Sequence, residues 1–180
     1  MLTADHVIPD GEGATVYQDS NFFGTATSYG SEYLDYRLVE RERSGISMDC
    51  TVEHDGVNEE FHGHATNMEA LDHDGETIYK TGISTGYTSG ELDILDDDFA
   101  NVGAEAASGD SGGPLFYYED FPHPVGTGAV IVGMTIATLT TNDSIECAGE
   151  ERQWGPGTTI TRADAIADDD DDIMFDGCDV

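Results

Sequence analysis

Short runs of β-branched and aromatic residues, each soon closed by Gly, Asp or Asn, set the tightest limit on what this chain can fold into. GATVYQ, EYLDYRLVE, EFHGHAT, ETIYKTG, YTSGELDIL, GPLFYY, AVIVGMTIATL and GTTITRA all have this form. Such runs suit pleated strands whose side chains alternate between faces, and the residues at their ends permit turns. No stretch before RADAIADD carries the apolar period of a long amphipathic helix. An all-β barrel or sandwich with a short C-terminal helix is therefore expected. Two His-Asp-Gly tripeptides, at 54–56 and 73–75, have unlike flanks and read as hairpin turns, not as a repeat. The polar stretch EHDGVNEE marks a boundary, giving a first part over 1–58, a second over 59–167 and an acidic tail over 168–180. The Asp run in that tail reads as a solvated end, because it lacks the spaced ligands and turn glycine of a calcium loop.

A chain of 180 residues, 38% of them hydrophobic, can bury a core as one domain or as two small lobes. Its charge is extreme: 38 acidic residues against 6 Lys plus Arg give a formal −32. That charge repels nucleic acid and anionic membranes, so neither is an expected partner. It also strains the compact state at low salt, whereas at about 1 M salt the screening length falls to about 3 Å. Such acidity, with Lys80 as the single lysine, suits the solvated surface of a halophilic protein. An acidic protein of an ordinary cytoplasm is the alternative. Cys50, Cys147 and Cys178 are too few and scattered for a disulfide framework. No run is long and apolar enough to span a membrane, and LTADHV follows Met1 without a signal peptide.

GDSGGP, residues 108–114 with its leading Ser, presses glycines against Ser111. A core strand has little reason for this, but a nucleophile in a tight turn does. Glycine admits positive φ and close approach of a substrate carbonyl, and neighbouring N–H groups can converge on an oxyanion. A serine hydroxyl is inert without a base, and the base needs an orienting acceptor. Upstream, LTADHV offers His6 and YLDYRLV offers Asp35.

T-A-x-H, D-x-x-L-V and G-D-S-G-G-P, in that order, resemble the trypsin-like serine proteases of the chymotrypsin fold. The spacings, together with YKTGISTGYTSGEL, VGMTIAT and GTTITRADAI, resemble the compact bacterial branch that includes streptogrisins and alpha-lytic protease. The resemblance implies two antiparallel β-barrels with a short C-terminal helix, and a serine endopeptidase that forms an acyl-enzyme on protein or peptide substrates. It assigns Ser111 as nucleophile, His6 as base and Asp35 as the acceptor orienting it, with the N–H groups of Gly109 and Ser111 as the oxyanion hole. It further implies that Asp110 turns inward on Lys80, since a buried carboxylate needs a partner. No metal or organic cofactor is implied, and a monomer is expected.

The chain departs from that family in three places. It begins close to His6, where family members place several strands earlier, so the first barrel is expected to be incomplete; an extracellular location would follow if a leader was lost with those strands. Arg37 occupies a normally small position, so either it points outward or the local strand has shifted. The strand beside the substrate reads Thr135, Ile136, Ala137, Thr138 where the family has Thr-Ser-Gly-Gly, so Ile136 cannot donate to Asp35. Ala106, Ala137 and Thr138 then line a pocket for a small or medium apolar side chain. Among other histidines, His54 and His73 sit in turns, His123 in a proline-flanked loop, and His62 and His64 on one strand face, a pair that could bind a metal but has no third ligand beside it. A protease-like binding module without activity, a truncated fragment, and an acidic protein whose glycine turn binds an anion are the competing readings.

Overall fold

The computed structural model describes residues 1–18, 21–44, 51–54, 57–122 and 126–170. Cys50, Cys178, His123, the Asp-Gly of the first tripeptide and residues 171–180 of the tail lie outside them. The chain divides into two compact units, Met1–Asp49 and Cys50–Val180.

The first unit is a curled half-barrel of four antiparallel strands: β1 (Leu2–Ala4), β2 (Thr15–Gln18), β3 (Asn21–Ser31) and β4 (Tyr36–Arg41) in the order β1-β4-β3-β2. A single 3-10 turn, Asp5–Val7, follows β1. A bulge in β3 opposite Val16 and Tyr17 breaks strict alternation, and Phe23 and Ala26 both join Val39 and Ile8 in a small core. Gly24 is required where β3 crosses β4, because a Cβ there would overlap the Glu40 carbonyl. EYLDYRLVE is not one strand: residues 32–35 form a turn, and β4 begins only at Tyr36.

The second unit begins with the hairpin β5 (Thr51–His54) and β6 (Val57–His64), so the division after Asp49 falls before the expected 58/59 boundary. Then come α1 (Asn67–Asp72), β7 (Thr77–Gly82), β8 (Gly86–Ile94), β9 (Phe99–Val102), β10 (Ala106–Ala107) and β11 (Pro114–Phe121). β12 (Gly126–Thr138), β13 (Ser144–Cys147), β14 (Glu150–Gly155), β15 (Thr158–Arg162) and α2 (Ala163–Asp169) complete it. Strands β11-β7-β8-β9-β15-β12 form a barrel that closes through β12 on β11. β6 joins β12 from outside in parallel register. Side-chain alternation divides β12 between two cores: Val130 and Val132 enter the barrel with Ile78, Leu92, Leu115 and Ile160, while Ala129 and Ile131 pack outside it with Phe116 and Ala163.

The same period places Lys80 on the face of Ile78, so an ammonium enters the end of the barrel fully buried. Arg162, also fully buried, closes the other junction. It donates to Asp164 Oδ2 at 2.6 Å, to the Asp96 carbonyl at 2.9 Å and to Asn67 Oδ1 at 2.8 Å. Burial pushes the Asp164 carboxyl above its usual range, with Arg162 opposing that rise. The turn at 73–75 is not a hairpin turn. It ends α1, whose start is fixed by a capping box in which Thr66 accepts from Glu69 N–H and the Glu69 carboxylate accepts from Thr66 N–H.

Candidate active site

Ala4 pairs with Tyr36 at the end of the β1–β4 ladder, so the next residues, Asp5 and His6, come opposite Asp35. Asp35 stands in the left-handed region at φ 51°, which a short polar side chain tolerates when it can bond locally. It does so twice, because Oδ1 accepts the His6 backbone N–H at 2.9 Å and Oδ2 meets His6 Nδ1 at 2.6 Å. The Asp35 carbonyl also accepts Asp5 N–H at 3.1 Å. With Nδ1 donating to a carboxylate, the neutral ring carries its lone pair on Nε2, the tautomer a general base requires.

Arg37 does not point outward. Its Nε donates to Asp5 Oδ1 at 2.6 Å and Nη1 to the Thr27 carbonyl at 3.1 Å, leaving the side chain only 12% exposed. The reason is Asp5, which sits directly before His6 and offers a carboxylate within reach of β4. The pair ties the 3-10 turn that carries His6 to β3 and β4.

In the second unit, Ser111 lies half-buried in the turn between β10 and β11. Gly109 and Gly112 have φ of 103° and 86°, conformations that disfavour any side chain. The turn closes on itself through Asp110 N–H to the Ala107 carbonyl at 3.0 Å and Gly113 N–H to the Asp110 carbonyl at 2.9 Å. It is tied to β12 by Gly112 N–H to the Thr135 carbonyl at 2.8 Å.

Asp110 holds this turn from within. Oδ2 accepts from Lys80 Nζ at 3.0 Å, Thr85 Oγ1 at 2.6 Å and Ala107 N–H at 3.0 Å, and Oδ1 from Ser84 N–H at 2.7 Å and Thr85 N–H at 3.3 Å. The Asp110 and Lys80 side chains are both 0% exposed. Burial alone would raise the Asp110 carboxyl, but the Thr85 hydroxyl, the Lys80 charge and the N–H groups of Ser84 and Ala107 outweigh it and hold the carboxyl below its usual range. The structure thus brings Lys80 and Asp110 together. Sequence reasoning missed Ser84 and Thr85, although STG inside YKTGISTGYTSGEL was the visible signal.

Of the residues expected to line a pocket, Ala106 and Thr138 lie beside Gly155 of β14, whereas Ala137 pairs with Thr159 of β15. Ala106, fully buried, pairs with Gly155. A Cβ on Gly155 would overlap the Leu139 carbonyl and come within 2.9 Å of Thr138 Cγ2. Thr138 is half-buried and Ala137 exposed. The β12–β15 register shifts between Thr135 and Ala137, so Ile136 is the extra residue of a bulge. Sequence reasoning also missed Arg152, whose Nη1 donates to Ser84 Oγ at 2.7 Å and to the Ser108 carbonyl at 3.2 Å. Of the other histidines, His62 packs on Phe121 with ring centroids 4.8 Å apart, and His73 lies 2.8 Å from Glu76. Among the described residues, no three His, Cys, Asp or Glu side chains are grouped to hold a metal ion.

No family model and no curated protein matches the chain. Solved structures do. A glutamic acid specific serine protease that uses a histidine triad in substrate binding superposes with a TM-score of 0.63 at 20% identity, over 93% of this chain and 82% of that one. The chymotrypsin of Cellulomonas bogoriensis gives 0.63 and 20%, over 93% and 81%. Thermobifida fusca protease A gives 0.62 and 19%, over 93% and 79%. What these structures share with the chain is the chymotrypsin-like β fold.

Proposed function

We propose that the chain is a serine endopeptidase acting through Ser111, His6 and Asp35. The observation that carries this reading is the grip of one carboxylate, Asp35, on both the backbone N–H and the ring Nδ1 of His6. That grip fixes the ring and prepares a base, besides closing the turn that carries Asp35. Ser111 attacks the scissile carbonyl and forms the acyl-enzyme, while His6 Nε2 takes the hydroxyl proton and returns it to the leaving amine; water then repeats the sequence to release the acid. The N–H groups of Gly109 and Ser111 hold the oxyanion, on a turn that Asp110 and Lys80 keep in shape. Ala106, Ala137 and Thr138 favour a small or medium apolar side chain before the cleaved bond. The reading places the protein with the streptogrisin-like branch and in concentrated salt, where its charge is screened.

Labelling with a fluorophosphonate in molar salt tests it. The protein should label, Ser111→Ala should not, and Asp35→Asn should lower kcat by about 10⁴-fold because the imidazole then adopts the wrong tautomer. A folded protein that never labels leaves the scaffold as a binding module and ends the reading.

A further inference from the structure

Asp110 holds the Ser111 turn at Ala107, whereas the Ser108 carbonyl accepts from other groups. Ser108 N–H donates to the Gln153 carbonyl at 3.0 Å, and Ala107 pairs with Trp154, which lays β14 alongside the turn. Arg152, the next residue back, reaches over it. Its Nη1 donates to Ser84 Oγ at 2.7 Å and to the Ser108 carbonyl at 3.2 Å, and Ser84 Oγ donates to the same carbonyl at 2.8 Å. The proton directions are forced. Arginine has only donors, so Ser84 Oγ accepts from Arg152 and spends its single proton on Ser108.

The Ser108 carbonyl and the Gly109 N–H belong to one planar trans peptide, in which they point to opposite sides. Gly109 has no side chain to select an orientation for that peptide, and its φ of 103° is one that glycine adopts without the penalty other residues meet. A Cβ there would in any case overlap Arg152 Nη1. Whatever holds the Ser108 oxygen therefore decides where the Gly109 hydrogen points.

We propose that Ser84 and Arg152 form a latch on the Ser108 carbonyl that turns the Gly109 N–H toward the oxyanion, making Arg152 a positioning residue; the catalytic consequence rests on the serine protease reading. The latch ends on neutral oxygens. Its only acidic neighbour among the described ion pairs is Glu150, at 3.7 Å and 76% exposed. Hydrogen bonds to a hydroxyl and a carbonyl survive molar salt better than an exposed ion pair does.

The test uses the full chain in molar salt with Arg152→Met, Arg152→Lys and Ser84→Ala. Two readouts are taken: kcat and KM on a peptide ester, and the backbone amide resonances of Gly109 and Asp110 by NMR. Losing an oxyanion donor outright lowers kcat by about 10²–10³-fold. Loosening one should lower it by roughly 10–100-fold in Arg152→Met and Ser84→Ala with KM within about twofold, and Arg152→Lys should recover most of it. The Gly109 amide resonance should shift or double while that of Asp110 stays. A Gly109 resonance that is unchanged in both folded variants overturns the latch, whatever happens to kcat. A wild type that never labels with fluorophosphonate overturns the protease reading, and the Gly109 resonance still decides the latch.

Discussion

Asp110 collects five donors in a site sealed from water, and that makes its contribution to stability depend on pH. Its carboxyl is held below the ordinary 3.8, so its contribution is fully present above that value and is lost as the pH falls through the lower folded value. Asp110→Asn should cost about 3–5 kcal/mol, because Lys80 is then buried without a counter-charge. Denaturant melts from neutral pH downward should show the gap between wild type and variant closing in that acid range; a constant gap would count against it. Lys80 was legible because the family resemblance calls for a cation at that place in YKTGISTGYTSGEL, and the single lysine of the chain stands there. Arg152 was not, since nothing in EERQWGPG announces that a β-strand lays it across Ser108.

At the scale of elements, β9, β10, β13 and β14 carry no clear run and went unread, whereas β6, β7, β8, β11, β12 and β15 were readable because their β-branched and aromatic runs are closed by turn residues. β3 was not. NFFGTATSYGS is broken by small and polar residues, and it is a strand because Phe23 and Ala26 find a core and Gly24 lets β4 come close. Tertiary contact overrode weak local preference there. The turn that delivers Asp35 was hidden inside an apparently continuous run, because a left-handed aspartate leaves no mark in a hydrophobic pattern. α1 did leave one, the T-x-x-E of residues 66–69, overlooked because the helix is only six residues long. That cap fixes the His64–Thr77 connection, so Thr66→Ala should lower unfolding free energy by about 1 kcal/mol. An effect below a few tenths in a urea melt would show the helix to be held by Asn67 and Arg162 instead.

The whole molecule carries −32 charges on 180 residues, and repulsion of that size acts on the compact state and not on any one contact. Raising potassium chloride from 0.1 M to 2 M should raise the unfolding midpoint by at least several degrees, as the screening length drops from about 10 Å to below about 3 Å. A midpoint that does not move in calorimetry would show that the acidic groups are already accommodated by local contacts. Topology imposes an order as well as a shape. β15 lies between β9 and β12, and it is the last strand of the described chain. A nascent polypeptide can pair β7 with β8 and β11 with β12 as each leaves the ribosome, but β9 and β12 keep bare edges until Thr158–Arg162 emerge. Until β15 is made, the second unit is thus an open sheet with strand edges available to any neighbour. Translation that pauses or stops before β15 yields an aggregation-prone chain, and the Ser111 turn takes its final form only after β14, with Arg152 and Gln153, has been made.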